Sequence, residues 1–221
     1  MTHARLAPGR GRARTWWGKA WQRAVEEAAF SESDLRAGRA MARRGDVGGI
    51  SVGEGSLLAA VREGDDTWTA QVDVPALDEH ARRALVDVVA AESGRIAALL
   101  DGELPHDLVE HADEAGAELL PYGGELGATC TCHRGLDPCP HALALLVQAG
   151  WLADREPLVL FALRGLDRDH LVAALHDRGP APAGGAGELA DDVEVAADAV
   201  LRARRLVEIL EAGQDLPDGL L

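Results

Sequence analysis

The stretch Cys130–Leu146, CTCHRGLDPCPHALALL, holds all three cysteines of the 221-residue chain. Cys130, Cys132 and Cys139 are followed by His141, which gives the pattern Cys-x-Cys-x6-Cys-x-His. Structural zinc sites bind the ion through four ligands in a tetrahedron, and three cysteines with one histidine form one of their common ligand sets. The stretch therefore predicts that these four side chains hold one structural Zn²⁺.

The spacing of the first ligands is physically suited to a single ion. Residues two apart in a β-strand point to the same face, so Cys130 and Cys132 can both face the metal. Gly135 and the Asp137–Pro138 pair allow the chain to turn back toward them. We expect a short strand, a tight loop and then a helix over this segment.

The helix is predicted to begin at the last two ligands. Cys139 takes the N-cap position and Pro140 the first helical position, where the missing N–H of proline costs nothing. His141 falls in the first turn, and the apolar run after it can pack on a core. Three thiolates, a neutral imidazole and Zn²⁺ leave a net negative charge, which the positive end of the helix dipole offsets.

Other kinds of chemistry fit the pattern less well. A thioredoxin-like redox centre needs Cys-x-x-Cys, and a catalytic zinc site keeps one coordination position open, whereas four candidates close this site. A nucleophilic pair of Cys139 and His141 would leave the other two cysteines unexplained, and His133 is interpreted as a loop residue. The sequence has no Walker motif, nucleophile elbow or His-Glu-x-x-His helix, so we expect neither an enzyme nor a small-molecule substrate.

Charge is unevenly distributed along the chain, whose net charge is −15. Residues 1–44 carry ten of the 22 basic residues and four of the 37 acidic residues, so a basic N-terminal part precedes a strongly acidic remainder. Such a part can follow a phosphate backbone, or it can be a solvated tail that docks on the acidic body. The candidate nucleic-acid contacts are Arg10, Arg12, Arg14, Lys19 and Arg134.

The composition also indicates a compartment. No apolar run is long enough to cross a bilayer, and no apolar stretch follows the basic N-terminus as it would in a secretory signal. Three cysteines in one cluster do not form a disulfide framework, which indicates a reducing environment. We therefore expect a cytoplasmic protein without a membrane partner.

Hydrophobic periodicity predicts an α+β fold. Residues 15–30, 77–100 and 105–115 have helical spacing, whereas 47–74 contains three short alternating runs separated by turn residues. The prediction is a small antiparallel β-meander with several helices and a ββα-like zinc finger. The tryptophans of 15–30 either pack in the core or stack on bases.

We divide the chain into six segments on this basis. They are a basic arm expected to be disordered (1–14), an N-terminal α+β region (15–125), the zinc finger (126–150), a helical extension (151–178), a Gly/Pro/Ala linker (179–187) and a C-terminal helix (188–221). The C-terminal helix either binds a partner or folds back on the body.

The four-ligand pattern, followed directly by the apolar helix HALALL, resembles the SWIM zinc finger. The three cysteines and His141 fall on the four ligand positions of that family. TWWGKAW (15–21), the meander, GELP (102–105) and PLVLFALRG (157–165) also look like bacterial SWIM-containing proteins, so the resemblance covers about residues 15–178. Pro140 departs from the family, whose members often have a polar or basic residue there, and this puts a phosphate contact in doubt.

The resemblance implies a non-catalytic zinc-binding module that mediates interaction with DNA or protein. It also implies a helicase-like ATPase as a partner, because bacterial members are often encoded near such ATPases. The alternative is a purely protein-binding adaptor that uses the acidic surface and the C-terminal helix. Recruitment of a partner in the absence of DNA distinguishes the adaptor from the DNA-binding module.

Overall fold

The computed structural model describes residues 1–9, 11 and 13–178. Within those residues the chain is α+β, as predicted, with eight α-helices and five β-strands. The strands are β1 (Thr2–His3), β2 (Ile50–Gly53), β3 (Ser56–Glu63), β4 (Asp66–Asp73) and β5 (Gly127–Cys130). The helices are α1 (Trp16–Ala28), α2 (Glu32–Arg44), α3 (Glu79–Ala90), α4 (Ser93–Leu100), α5 (His106–Glu114), α6 (Pro140–Ala153), α7 (Leu158–Leu163) and α8 (Arg168–Asp177).

The five strands form one antiparallel sheet whose strand order follows the chain. The meander predicted over 47–74 is confirmed as β2, β3 and β4. Burial alternates along β3, where Leu57, Ala59 and Val61 are buried and their neighbours are more exposed. One face of the sheet therefore packs on the core and the other is solvated. β5 adds the segment that carries Cys130 to the open edge of β4.

Helix α6 is the centre of the core. Twelve of its 14 residues are buried, so it is covered around nearly its whole circumference. It packs against α1 and α2 on one side and against β3 and β4 on another. A helix that is apolar all round is stable only when it is enclosed in this way. Residues 1–178 accordingly form one compact unit, and the segments predicted as 15–125, 126–150 and 151–178 share one core.

The tryptophans of α1 contribute to that core. Trp17 and Trp21 are buried, and their indole N–H groups donate to the carbonyl oxygens of Ala153 and Leu146 in α6, at 2.8 and 2.9 Å. Trp16 donates to the carbonyl of Leu104 at 3.0 Å. Buried indoles with satisfied N–H groups are core residues, so the base-stacking interpretation does not apply to Trp17 and Trp21.

Helix α2 is absent from the sequence-based prediction. Its N-cap Ser31 accepts from the amide of Asp34, and Gly45 ends it with φ of 74°, a left-handed conformation that favours glycine. Acidic residues occupy its first turn and basic residues its last, which also favours a helix. These end signals were present in the sequence, and the buried residues recur at helical spacing, but Leu35 and Met41 are the only large apolar residues in a highly charged segment.

The single helix predicted over 77–100 is wrong, because the chain breaks between α3 and α4. Arg95, which is 4% exposed, donates from Nη1 to the carbonyl of Val88 at 2.8 Å, near the end of α3. Its guanidinium also pairs with Asp107 at the start of α5. The buried arginine thus satisfies a helix-end carbonyl at the break and holds the three helices together.

The expectation of a disordered arm over residues 1–14 is wrong for its described residues. Strand β1 pairs with β2, and the N-terminal amine donates to the carbonyl of Val52 at 2.6 Å. The amide of Gly9 donates to the carbonyl of Arg43 at 3.0 Å. The physical reason is the free edge of β2, whose backbone groups need partners. Arg10, Arg12, the linker 179–187 and the C-terminal helix 188–221 lie outside the described residues.

The arm ends where Asp154, the C-cap of α6, meets the start of α1. The carboxylate of Asp154 accepts hydrogen bonds from the amide of Arg14 at 3.0 Å and from the amide and hydroxyl of Thr15 at 2.9 and 2.6 Å. Thr15 is itself the N-cap of α1. A negative charge at a helix N-terminus is favourable, so this contact fixes the start of α1. In the described part of the chain, no helix is long and apolar enough to span a membrane.

The close approach of α2 to α6 requires a glycine, which makes a test of the packing possible. A Cβ at position 38 would lie 2.7 Å from Cβ of Leu143. We expect Gly38→Ala to lower the free energy of unfolding by about 1–3 kcal/mol through overpacking, despite a gain of about 1 kcal/mol in helix propensity. Urea denaturation measures the change.

The matched control is Gly94→Ala in α4. A Cβ there meets nothing within 4 Å, so this variant should be as stable as the parent or slightly more stable. Equal changes in the free energy of unfolding for Gly38→Ala and Gly94→Ala would contradict the close packing of α2 on α6.

Candidate metal centre

The four predicted zinc ligands come together at the junction of β5 and α6. Their ligand atoms, three sulfurs and one imidazole nitrogen, all lie within 4.8 Å of one another. Cys130 is the last residue of β5, Cys139 is the N-cap of α6 and His141 is its second residue. The predicted cap position of Cys139 and the first-turn position of Pro140 are both confirmed.

The distances fit a tetrahedral zinc ion. Nδ1 of His141 lies 3.8 Å from Sγ of Cys130 and 3.9 Å from Sγ of Cys139. Zn–S bonds of about 2.3 Å and Zn–N bonds of about 2.0 Å place a nitrogen and a sulfur ligand of a tetrahedron about 3.5 Å apart, so these atoms lie within about 0.4 Å of the required separation. Three thiol sulfurs and one imidazole are also the donor set that zinc prefers. The cluster is therefore positioned to bind one zinc ion.

Backbone pairing positions the loop that carries the ligands. The amide of Thr131 donates to the carbonyl of Thr69 at 3.0 Å, just beyond the end of β5. The carboxylate of Asp137 accepts from the amide of Ala128 at 2.7 Å, so the loop folds back on β5. Gly135 has φ of 62°, which places the turn at the predicted glycine. Sheet pairing of the strand and capping of the helix thus bring the two halves of the site together.

The structure corrects one detail of the predicted geometry. β5 ends at Cys130, and Cys132 lies in a bend after the strand. The alternation of side chains along a strand therefore does not explain why both sulfurs face the site. The bend brings Cys132 to the other ligands, and the spacing of two residues is retained.

Burial sets the protonation of the ligands before a metal binds. Burial raises the pKa of the Cys130 thiol to about 12 and raises the pKa of the Cys139 thiol as well. Burial also lowers the pKa of His141, against the opposite effect of the nearby Glu63 carboxylate. At neutral pH the imidazole is therefore neutral, as a metal ligand must be, while these two thiols keep their protons.

His141 is fully buried, and its second ring nitrogen has a partner that the sequence did not reveal. Nε2 lies 3.1 Å from Oε2 of Glu63, the last residue of β3. The guanidinium of Arg134, in the finger loop, contacts both oxygens of the same carboxylate at 2.7 and 3.0 Å. Glu63 is separated from His141 by 78 positions, and no local pattern in the sequence links them.

The candidate nucleic-acid contacts fall in different places. Arg14 and Lys19 are exposed near the start of α1. Arg134 binds Glu63 within the finger, with 43% of its side chain exposed. The positions of Arg10 and Arg12 lie outside the described residues. The structure thus brings Arg14 and Lys19 to one end of a helix and assigns Arg134 a contact inside the metal centre.

A Cys₃His site built on a strand, a loop and a helix N-terminus defines a zinc-binding domain. Residues 113–150 match the SWIM zinc finger family, and this part of the chain is a SWIM zinc finger. The SWIM zinc finger predicted from the four-ligand pattern is therefore confirmed for these residues.

The chain is also 31% identical over 186 residues to the "Uncharacterized protein Rv2102" of Mycobacterium tuberculosis. The match covers 82% of this chain and 65% of that protein, so the chain spans somewhat less than two thirds of its relative. No solved structure matches the chain.

Metal analysis tests the ligand set directly. We expect one zinc per chain by inductively coupled plasma mass spectrometry, and a large fall in melting temperature when a chelator removes it, because metal binding contributes to folding stability. Cys139→Ser should lose the zinc, whereas His133→Ala, which changes a loop imidazole outside the ligand set, should keep it. A chelator that leaves the melting temperature unchanged would contradict a structural metal.

Zinc binding should release protons, because raised thiol pKa values mean that protons compete with the metal. Since Cys130 and Cys139 enter the site as thiols at pH 7, at least two protons should leave per zinc bound. Affinity should consequently fall as the pH falls. Isothermal titration calorimetry in two buffers of different ionisation enthalpy counts the protons, and release of clearly fewer than two would be inconsistent with this protonation state.

Proposed function

We propose that the chain is a non-catalytic, zinc-stabilised module that binds DNA through a basic surface at its N-terminal end. The observation that supports this function is the uneven distribution of charge along the sequence, with a basic N-terminal part and an acidic remainder. Ten basic and four acidic residues lie in 1–44, within a chain of net charge −15. A localised basic surface on an acidic body directs a polyanion to one place, because the remainder of the body repels it.

We assign Arg5, Arg14, Lys19 and Arg43 to the proposed basic N-terminal surface. All four residues are exposed, and none forms an ion pair with another described residue. The guanidinium of Arg5 donates to the carbonyl of Gly45, and the backbone of Gly9 contacts that of Arg43. This part of the arm therefore lies beside the C-terminal end of α2, where Arg5 adds to the charge of Arg43, whereas Arg14 and Lys19 lie at the start of α1.

Unpaired cations on an ordered surface are suited to phosphate contacts. Each cation that neutralises a phosphate releases condensed counterions, and this supplies most of the sequence-independent affinity for DNA. Arg10 and Arg12 lie in the same arm of the sequence and add to its charge. Arg134 is left out of this surface, because its guanidinium is already engaged by the Glu63 carboxylate.

A protein partner is part of the same proposal. The SWIM finger is a binding module, and the resemblance to bacterial SWIM-containing proteins supports a helicase-like ATPase as that partner. In the adaptor alternative, the acidic surface and residues 188–221 bind the partner without DNA. A nuclease-treated pull-down that keeps the partner, and loses it on truncation at residue 180, would favour the adaptor.

The salt dependence of binding tests the basic N-terminal surface. We expect the full chain to bind a short DNA duplex, with an affinity that falls linearly with salt on logarithmic axes. Combined Arg14→Ala, Lys19→Ala and Arg43→Ala substitutions should weaken binding and reduce the magnitude of the slope by up to about 3, since each lost phosphate contact removes about 0.9. Fluorescence anisotropy over a salt series gives both quantities.

The control removes the same amount of charge elsewhere. Arg83→Ala, Arg168→Ala and Arg178→Ala together delete three positive charges on α3, on α8 and at the C-cap of α8, far along the chain from the arm. This variant should keep the slope of the parent. An equal loss in both triple variants would mean that net charge alone decides the affinity, and no binding by the parent would overturn the proposal.

A further inference from the structure

The carboxylate of Glu63 contacts both His141 and Arg134, on the side of the His141 ring that faces away from the cysteines. Glu63 ends β3, Arg134 lies in the loop between Cys132 and Cys139, and His141 lies in the first turn of α6. One carboxylate oxygen of Glu63 is 3.1 Å from Nε2 of the buried histidine, and the arginine contacts both oxygens. We call these three residues the Glu63 cluster.

The two nitrogens of the His141 ring have different surroundings. Nδ1 faces the sulfurs of Cys130 and Cys139, whereas Nε2 faces the carboxylate. A neutral imidazole that gives Nδ1 to a metal carries its proton on Nε2, where it needs an acceptor when it is buried. The Glu63 carboxylate is that acceptor, and the fully buried ring has no access to water.

We propose that Glu63 is a positioning residue for the zinc ion, holding the His141 ring so that Nδ1 points at the metal. A carboxylate that accepts from the second nitrogen of a metal-bound histidine fixes the orientation and tautomer of the ring and makes it a better ligand. Arg134 acts through Glu63, because its contact with both oxygens fixes the carboxylate in turn. Strand β3, which contributes no ligand, thereby becomes part of the metal centre.

The exposure of these side chains indicates how much zinc affinity each substitution should remove. The side chains of Glu63 and Arg134 are each 43% exposed, so solvent screens their ion pair. The histidine end of the cluster is fully buried, so the hydrogen bond there is not screened. Removing the Glu63 carboxylate should therefore lower zinc affinity more than removing the Arg134 guanidinium.

Zinc affinity of the full-length chain, measured by competition with a chromophoric chelator, tests the proposal. We expect Glu63→Ala to lower the affinity about 10–100-fold. Glu63→Gln keeps an acceptor for the Nε2 proton and should lose less. The control is Asp66→Asn, which removes a negative charge from the residue paired with Glu63 across the β3–β4 turn and should stay within about twofold of the parent.

A second measurement separates positioning from general stability. If Glu63 positions His141, Glu63→Ala should reduce the rise in melting temperature that zinc produces and alter the ligand-field spectrum of the Co²⁺-substituted protein. A purely structural role would lower the melting temperatures with and without zinc equally and leave the spectrum unchanged. That result, or an affinity for zinc equal to that of the parent, would overturn the proposal.

A double variant tests the part assigned to Arg134. Arg134→Ala should lower the affinity several-fold, less than Glu63→Ala does, and the combined variant should be no weaker than Glu63→Ala alone, because the arginine acts through the carboxylate. Additive losses would overturn the link between the two residues. None of these measurements involves DNA, so their outcome does not depend on whether the proposed DNA binding is correct.

Discussion

The burial of α6 is the constraint on which the rest of the structure depends. This helix is apolar on nearly every side, so α1, α2 and the sheet must all cover it. Its first turn also supplies His141, and Cys139 caps it. The metal centre is thus built on the same element as the core. Zinc fixes the end of the helix whose body organises the fold, so loss of the metal removes a support of the whole unit rather than of one loop.

The features that depend on local spacing could be predicted from the sequence. The four ligands, the cap at Cys139, the proline after it and the meander all follow from residues a few positions apart. Helix α2 was missed because Leu35 and Met41 are its only large apolar residues in a highly charged segment, although Ser31 and Gly45 mark its ends. The break after α3 was missed because it depends on Arg95, whose contacts lie in other helices.

Contacts between distant segments could not be predicted, and they include the most informative part of the site. Glu63 occupies the solvent-facing end of a strand and is one of 37 acidic residues, so nothing in the sequence singles it out. Its meeting with His141 results from the register of the sheet and the docking of α6. The same is true of the arm, because the edge of β2 that orders it exists only once the sheet has formed.

The contact of Asp154 with the start of α1 can form only late in translation, when most of the described chain has been made. Its carboxylate binds backbone groups 139 and 140 positions earlier, and α1 and α2 pack chiefly on α6. The first 44 residues emerge from the ribosome long before the helix that covers their apolar faces. Contacts of such large separation are slow to form, and exposed apolar surface favours aggregation in the meantime. A nascent chain that stops before α6 lacks both the last zinc ligand, His141, and the helix on which its N-terminal helices pack.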